Sequence, residues 1–412
     1  MRNRLFVLAA LTVAIALGAH AQTYRESTLH TFTAANPVGT VTVDPSGNLY
    51  GALGWTKACQ PGKTAEECGL IFKLNSSGNE TVLHHFSTLA NGANPVAPLT
   101  LDAARNLYGL TTYGGHTSST FAYGLGVVYK ITPQGKFSIL HKFAASGLEG
   151  AQPTGPLTMD AAGNLYGTTS KGGNTSLCNN GCGVVFKVSA KGAFSLLHTF
   201  SQTDGESPEG NLIVDTLGNV YGTTVYGGPV QGPINASYGV LFELTPAGEE
   251  TVLYSFLGDG ENCDGCYPGY IVRDSALNFY GPGSTQSPDF DGGVLYEINT
   301  SESENFSYYF CPGVSGLCPN GAIASGQIVE SDGLLYGTTA EGGGSDGNGQ
   351  GVVYQLSPST GIETVLYSFP ADASQGREPR GISGDSQGNL YGTVSYGNGV
   401  PGGLVFKLTK SQ

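Results

Sequence analysis

Residues 160–169 read DAAGNLYGTT, and this stretch decides the fold because close variants of it occur seven times along the chain. Each copy begins with an acidic residue and reaches a Tyr-Gly pair a few residues later. The seven tyrosines are Tyr50, Tyr108, Tyr166, Tyr221, Tyr280, Tyr336 and Tyr391. Successive tyrosines are 55 to 59 residues apart, and a regular period of this length indicates a repeat architecture.

Each repeat contains four short apolar or alternating runs of strand length, separated by turn residues. In the third copy these runs are Leu157–Met159, Leu165–Thr169, Val184–Val188 and Phe194–Phe200. The composition agrees, because glycine is abundant at 64 residues while charged residues make up only 12% of the chain. Four antiparallel strands in each of seven repeats predict an all-β fold, a seven-bladed β-propeller of four-stranded blades.

The two ends of the chain complement each other. The last repeat stops after its third run, Leu404–Leu408, whereas Ser27–Phe32 near the start matches the fourth run of other repeats. We expect residues 27–32 to complete the last blade, because pairing both ends in one sheet leaves no exposed edge. Residues 22–412 are then a single propeller domain.

The first 21 residues are typical of a secretory signal peptide. Arg2 and Arg4 flank the start of an apolar run, Leu5–Leu17, and a small-residue cleavage site ends at Ala21. No second apolar segment of membrane length follows. The sequence therefore predicts an exported monomer, either secreted or held in the periplasm or at the cell surface. Its formal charge of −14 argues against nucleic acid as a partner.

Eight cysteines form four local pairs, which in an exported chain predicts structural disulfides. The predicted pairs are Cys59 with Cys68, Cys178 with Cys182, Cys263 with Cys266, and Cys311 with Cys318. Each pair closes a short stretch of chain, so each bond is expected to stiffen one loop. The alternative for Cys263 and Cys266 is metal or redox chemistry, although a structural zinc site needs two more ligands.

The histidines and the repeated acids follow the repeat. One position of the fourth run carries His in some copies and Tyr in others, and its residues are His30, His84, His141, His198, Tyr254, Tyr309 and Tyr367. The acid that begins each turn, such as Asp160, is expected to accept backbone N–H groups. We therefore predict no catalytic residue, no metal ligand and no cofactor. A structural calcium ion at the acidic segments 259–261 and 289–292 stays an alternative.

The connections between runs give each blade two different ends. With the runs of a repeat numbered one to four in chain order, the connections between runs one and two and between runs three and four are tight, and they define the turn face. The connections between runs two and three, and between run four and the next repeat, are long and variable, and they define the loop face. Because function on a repeat scaffold collects on variable loops, the loop face is the predicted binding surface. Its candidate ligand-contacting aromatics are Trp55, Tyr113, Tyr226 and Tyr396. The alternative is that these rings pack beneath their own loops.

The repeat also resembles a known family. Residues 163–188 contain Gly-Asn-Leu-Tyr-Gly-Thr-Thr, then Gly-Gly, then Gly-Val-Val-Phe-Lys, and this series resembles the GloVer tandem repeat of choice-of-anchor bacterial proteins. The resemblance spans residues 25–408. It implies an exported, propeller-like protein of a family whose biochemical role is not established. Members have varied C-terminal anchors, whereas this chain ends at Gln412 without an apolar tail.

Two functions stay open from the sequence. The loop asymmetry, the cysteine pairs and the lack of a catalytic set favour a non-enzymatic binding module for an extracellular glycan or protein. The alternative is an extracellular enzyme, a lyase or lactone hydrolase, with a site at the mouth of the propeller channel. Such a site would need polar residues that depart from the repeat and converge near the axis.

Overall fold

The structure is a computed structural model. It describes residues 24–411 except 34, 55–67, 230–236, 258–264, 284–291, 302, 312–317, 345–346, 348, 373 and 397–401. Over the described residues the chain folds into β-strands with one short 3₁₀ turn, Leu89–Asn91, which confirms the predicted all-β class. None of these residues forms a helix long and apolar enough to span a membrane. The predicted signal peptide lies outside the described residues.

The strands group into seven sets of four, which we call units, and within a unit each strand pairs antiparallel with the next. A parallel pairing of Gln327 with Gly381 joins units 6 and 7 into one eight-stranded sheet. Strand β1 is Tyr24–Thr31. Unit 1 contains β2 (Thr42–Val43), β3 (Leu49–Leu53), β4 (Leu70–Leu74) and β5 (Glu80–His85). Unit 2 contains β7 (Thr100–Leu101), β8 (Leu107–Tyr113), β9 (Val127–Ile131) and β10 (Phe137–Lys142), with the short β6 (Ala93–Pro95) also pairing with β8. Unit 3 contains β11 (Thr158–Met159), β12 (Leu165–Thr169), β13 (Val184–Val188) and β14 (Phe194–Thr199).

Unit 4 contains β15 (Ile213–Val214), β16 (Val220–Thr223), β17 (Ser237–Leu244) and β18 (Glu250–Leu257). Unit 5 contains β19 (Val272–Arg273), β20 (Phe279–Gly283), β21 (Val294–Ile298) and β22 (Glu304–Tyr309). Unit 6 contains β23 (Ala322–Ser331), β24 (Leu334–Glu341), β25 (Val352–Ser357) and β26 (Ile362–Ser368). Unit 7 contains β27 (Arg377–Gly384), β28 (Leu390–Tyr396) and β29 (Leu404–Lys410), and its fourth strand is β1.

The carboxylate that begins each repeat holds the turn between the first two strands. In unit 3, Asp160 accepts the N–H groups of Ala162 and Asn164 through one oxygen. Its other oxygen accepts the Asn164 amide at 2.7 Å and the Tyr166 hydroxyl at 3.0 Å. Burial would raise the pKa of Asp160, but these hydrogen bonds outweigh it and lower the pKa. The repeated acids are therefore structural, as the sequence predicts.

The same tyrosine hydroxyl-to-acid bond recurs in six units, at 3.0–3.2 Å. In unit 6, Glu330 replaces the aspartate and accepts the N–H of Gly333 instead. The turn glycine has a positive φ, such as +79° at Gly163, which favours a residue without Cβ. Arg105 and Leu277 take this place in units 2 and 5 and adopt φ of +62° and +73°, so the turn keeps its shape there at a cost in backbone strain.

The apolar core lies between units. The described residues form seven core clusters, and each one combines side chains from two neighbouring units. One cluster joins Phe186 of unit 3 to Val128 and Phe143 of unit 2. Another joins Val41 and Phe72 of unit 1 to Tyr391 and Val405 of unit 7. A single unit therefore buries its faces only against its neighbours.

The first and last units are tied together by backbone as well as by packing. Strand β1 pairs antiparallel with β29 in a register that places Tyr24 opposite Lys410 and Thr31 opposite Leu404. The predicted pairing of the two termini is therefore present, with a strand that begins three residues earlier than Ser27. Thr393 also donates its hydroxyl to the Gly39 carbonyl at 2.6 Å, which links unit 7 directly to unit 1.

The left-handed backbone at Leu277 predicts a stabilising substitution. Leu277→Gly should raise the free energy of unfolding by about 1 kcal/mol, because a side chain in this backbone region costs ~1–2 kcal/mol and this one is half exposed. Gly163→Leu is the matched control at the same turn of unit 3 and should lower stability by a similar amount. Chemical denaturation of both variants measures the two effects, and a destabilised Leu277→Gly protein would contradict the assignment.

A buried tyrosine hydroxyl predicts a second stabilising change. The Tyr129 side chain is fully buried and its hydroxyl lacks a hydrogen-bond partner, whereas the matching residue in unit 3 is Phe186. Tyr129→Phe should raise the free energy of unfolding by about 1 kcal/mol, because a buried unpaired hydroxyl costs ~1–3 kcal/mol. Tyr166→Phe, which removes the bond to Asp160, should instead lower it by about 1 kcal/mol. Thermal denaturation of the pair checks the opposite signs.

Candidate functional site

One position at the loop-face end of the second strand holds an aromatic side chain in some units and a charged side chain in others. It lies four residues after the glycine of the Tyr-Gly pair, and we call it the rim position. Its backbone faces the residue that leads into the first strand of the same unit. The rim residue and its facing residue are Tyr113 and Ala93, Lys171 and Ala151, Tyr226 and Glu206, Glu341 and Ala322, and Tyr396 and Arg377.

The structure places the predicted aromatic candidates at this rim position. Tyr113 and Tyr396 are the last residues of β8 and β28, so they lie on strand ends and not in the loops where the sequence placed them. Tyr113 is part-buried, and its ring lies 6.1 Å from that of Tyr123 in its own loop. Tyr226 is 46% exposed. Trp55 and the Tyr396 side chain lie outside the described residues.

Tyr226 belongs to a cluster of three tyrosine rings at the boundary between units 4 and 5. Its ring meets the edge of Tyr267 at 5.3 Å, and Tyr267 in turn meets the edge of Tyr238 at 5.7 Å. The Tyr267 N–H donates to the Tyr238 carbonyl at 3.1 Å, which fixes the backbone beneath the rings. Edge-to-face contacts of this kind hold aromatic rings in a defined orientation. Tyr267 was missed from the sequence because its loop differs in length from the others.

A charged pair lies beside this cluster, at the boundary between units 3 and 4. Lys171 reaches across to unit 4, with its Nζ 3.9 Å from a Glu206 oxygen and 3.5 Å from the Ser207 hydroxyl. The Lys171 and Glu206 side chains are mostly buried. The sequence alone could have pointed to Lys171, because it occupies the rim position that holds tyrosine in units 2, 4 and 7. Its partner could not be found from the sequence, since the contact joins two repeats.

Glu209 adds a second carboxyl group near Lys171. Burial raises the pKa of Glu209, although the group keeps access to solvent, and the positive charge of Lys171 opposes this rise. Nearby, Tyr270 of unit 5 extends its hydroxyl to within 3.4 Å of the Ala97 carbonyl of unit 2. These two units are not neighbours in the sequence, so Tyr270 links parts of the fold that are far apart along the chain.

A polar cleft of about 420 Å³ lies at the boundary between units 6 and 7. Glu341 at the rim position, Arg377, Glu378 and Gln350 line it beside Cys318. Charged residues of both signs therefore face this cleft, as they do at the Lys171 pair. The rim position thus holds an aromatic residue in three described units and a charged residue in two. Its surroundings differ from the repeat in two places, where units 3, 4 and 5 meet and where units 6 and 7 meet.

Two further clefts open on the turn face, where the sequence predicted no cavity. One of about 320 Å³ lies between units 3 and 4, and one of about 490 Å³ lies between units 7 and 1. Matching residues line both, including Asp160 and Lys187 in the first and Asp385 and Lys407 in the second. These side chains belong to the repeat itself. The turn-face clefts are therefore consequences of packing similar units side by side.

The histidines occupy a structural position, and one sequence assignment at that position was wrong. His198 is bonded to Asp204 at 3.1 Å, and the His141 ring stacks on Phe194 of the next unit at 3.8 Å. In unit 5 the matching residue is Tyr308, which packs against Phe310, and not Tyr309. The register against the third strand is unchanged, since Tyr308 pairs with Leu295 as His198 pairs with Val185. Two consecutive tyrosines had left the sequence alignment ambiguous by one residue. Burial, with a smaller contribution from His85, lowers the pKa of His84 to about 4.

Two glutamates on fourth strands, Glu250 in unit 4 and Glu363 in unit 6, have raised pKa values. Burial raises the pKa of Glu250 to about 7, with a further rise from Asp204 that His198 partly offsets. Burial also raises the pKa of Glu363 to about 7, against the hydrogen bond that it accepts from Tyr308 at 2.8 Å. One oxygen of each carboxyl group is buried without a hydrogen-bond partner. Both groups lie where one unit's fourth strand packs against the next.

Two of the predicted disulfides are formed, Cys178 with Cys182 and Cys311 with Cys318. Cys68 and Cys266 are also disulfide-bonded, and their predicted partners, Cys59 and Cys263, lie outside the described residues. In the part of the chain that the structure describes, no three His, Cys, Asp or Glu side chains are grouped to hold a metal ion. The acidic segment 259–261 lies outside that part, as does most of 289–292.

Comparison with known proteins identifies one family. Residues 17–232 and 230–412 match the family described as the Gloeobacter/Verrucomicrobia repeat. No curated protein matches the chain. Among solved structures, a putative gluconolactonase is 12% identical over 94% of this chain and 92% of its own, with a TM-score of 0.44.

Two other solved structures are similar to the same extent. A gluconolactonase from Xanthomonas campestris is 15% identical over 92% of this chain and 100% of its own, with a TM-score of 0.42. A protein of unknown function from Dyadobacter fermentans is 9% identical over 94% of this chain and 98% of its own, with a TM-score of 0.48. At these values the similarity carries no statement about the activity of this chain.

The two glutamates predict how stability depends on pH. Their folded-state pKa values lie above the ordinary value, so their stabilising contribution is complete below pH 4.5 and is lost as the pH rises through about 7. Glu250→Gln and Glu363→Gln should therefore raise the melting temperature at pH 8 and leave it nearly unchanged at pH 4.5. Glu249→Gln is an exposed control beside the first site. Scanning calorimetry at both pH values decides, and a variant less stable than the parent at pH 8 would contradict the prediction.

Proposed function

The chain belongs to the Gloeobacter/Verrucomicrobia repeat family, and from this premise we propose that it is an exported seven-bladed β-propeller that binds an extracellular ligand on its loop face. The site that we propose lies on units 3, 4 and 5. It comprises Lys171, Glu206, Ser207, Tyr226 and Tyr267, which we call the rim site. Binding there requires no chemical step.

The closed ring is supported by the contacts between units. Each core cluster joins two neighbouring units, and one of them joins unit 7 to unit 1. The hydroxyl of Ser383 in unit 7 donates to the Val41 carbonyl of unit 1, as that of Thr158 in unit 3 donates to the Leu212 carbonyl of unit 4 at 2.6 Å. The seam between the last unit and the first therefore uses the same interactions as the seams inside the chain, which is the expectation for a closed propeller.

Export is supported by two independent features. The first 21 residues have the composition of a signal peptide. The disulfides of Cys178–Cys182 and Cys311–Cys318 persist in oxidising compartments and are rare in the cytosol. Both features support a secreted, periplasmic or surface location.

The observation that carries the binding proposal is the exposed Tyr226 ring beside the Lys171–Glu206 pair. An aromatic ring that is held by a neighbouring ring and is half-exposed is an energetically favourable contact for a ligand. The adjacent Glu206 occupies the facing position that holds alanine in units 2 and 3, and Lys171 occupies the rim position that holds tyrosine in units 2, 4 and 7. Departures from the repeat where neighbouring units meet are the signature expected of a site added to a scaffold.

The enzymatic alternative has one observation in its favour. Glu209 combines a raised pKa with a nearby lysine, which is a property of some acid–base catalysts. A single carboxyl group does not constitute the acid–base pair that a lyase or hydrolase needs. Glu209→Gln separates the two functions, because it would abolish turnover in an enzyme and leave ligand binding largely intact in a binding module.

Alanine substitutions at the rim site test the binding proposal. The mature protein is screened against a glycan array and a displayed peptide library, and each ligand found is retested with Lys171→Ala/Tyr226→Ala. We expect this double variant to lose the binding, because it removes both the ring and the charge. Leu217→Ala is the control, since Leu217 is 78% exposed on the turn face. Ligands that bind the double variant as tightly as the parent would contradict the rim site.

A further inference from the structure

We infer that the ligand of the rim site is a neutral oligosaccharide, with one sugar ring stacked on Tyr226 and its hydroxyl groups bound by Lys171 and Glu206. This inference rests on the proposed binding function and specifies its ligand. It is carried by three features of the site: how the ring is held, how the charged pair is spaced, and which backbone groups are already bonded.

The Tyr226 side chain is held in place by its surroundings and is half-exposed. Its backbone exchanges two hydrogen bonds with Glu206, at 2.6 and 2.9 Å, and its carbonyl also accepts the Thr224 hydroxyl at 2.9 Å. Tyr267 contacts the ring edge-to-face, so the side chain is also held from one side. The 46% of Tyr226 that stays exposed is thus presented in a fixed direction. The flat C–H face of a sugar ring is complementary in size and polarity to such a surface.

The spacing of the charged pair fits an inserted hydroxyl group. The 3.9 Å between Lys171 Nζ and the Glu206 oxygen is longer than the ~2.7–2.9 Å of a charge-assisted hydrogen bond. Lys171 donates to Ser207 only at 3.5 Å, so its donors are weakly used within the protein. A hydroxyl group is at once a donor and an acceptor. One sugar hydroxyl can therefore accept from Lys171 and donate to Glu206 at the same time.

The backbone around the site favours a sugar over a peptide. A peptide binding in extended form uses unpaired N–H and C=O groups at a strand edge. Here the N–H groups of Glu206, Ser207 and Val225 all donate to backbone carbonyls within the protein, at 2.6 to 3.0 Å. Recognition is left to side chains, and these are an aromatic ring and hydroxyl-binding groups. The described site offers no edge of that kind at these three residues.

The charge around the site excludes polyanionic glycans. Lys171 is accompanied by two carboxylates, Glu206 and Glu209, and the chain has a formal charge of −14. A polyanion would be repelled by this field, whereas an uncharged sugar is indifferent to it. The ligand class that remains is a neutral oligosaccharide.

Calorimetric titration of the mature, disulfide-bonded protein tests the inference. The probes are cellohexaose, xylohexaose, chitohexaose and maltohexaose at pH 7. We expect at least one of them to bind, Tyr226→Ala to weaken that binding by about tenfold, and Tyr226→Phe to keep it within about twofold because the ring remains. Glu206→Gln should weaken it less than Tyr226→Ala, since an amide still hydrogen-bonds a hydroxyl group. Leu217→Ala, on the turn face, should match the parent.

The outcomes separate this inference from the function on which it rests. If none of the four sugars binds while a peptide selected from a displayed library binds and is lost in Tyr226→Ala, the sugar inference is wrong and the rim site stands. If a sugar binds equally to the parent and to Tyr226→Ala, both the inference and the rim site are wrong. Absence of binding to all sugars and peptides overturns both as well.

Discussion

The structure depends on one constraint: no four-stranded unit buries its apolar faces by itself. Every core cluster is shared between two neighbours, so each unit is stable only when flanked on both sides. A linear array would leave two apolar faces uncovered at its ends. One core cluster joins unit 7 to unit 1, and β1 completes the sheet of unit 7. The closed ring that we propose would leave neither face uncovered.

The turn between the first two strands of each unit explains why sequence variation is concentrated on the loop face. Asp160, Asn164 and Tyr166 form a hydrogen-bonded group that fixes the first hairpin, and an equivalent group recurs in most units. Substitution within it affects both the turn and the core. At the loop-face end of the second strand, a threonine hydroxyl donates to the carbonyl of the rim residue in units 2, 3, 4 and 6. Because this bond uses only the backbone of the rim residue, its side chain is able to differ between units. The Lys171–Glu206 pair and the Tyr226 cluster lie in that permissive region, held by strands whose positions the core determines.

The sequence was sufficient to predict the all-β class and the repeat, and insufficient to predict the contacts of the proposed site. The spacing of the tyrosines predicts seven units, and the strand-like segment near the start predicts the partner of β29. Both signals are local or periodic. The pairing of Lys171 with Glu206 is neither, because it joins different repeats through packing. Tyr309 was taken for Tyr308 because two adjacent tyrosines left the alignment ambiguous by one residue, whereas Tyr267 was missed because its loop differs in length from the others. Tyr226 alone was found, since it lies at a position shared with Tyr113 and Tyr396.

Hydrogen–deuterium exchange of the amides in β1 tests the closed seven-unit architecture most directly. The segment Tyr24–Thr31 is far from Lys410 in sequence and acquires protection only by pairing with β29. The account predicts that β1 amides exchange as slowly as those of β29 and lose protection together with them as denaturant is added. Rapid exchange of β1 under conditions that keep the other six units protected would contradict closure of the ring through the N-terminal strand.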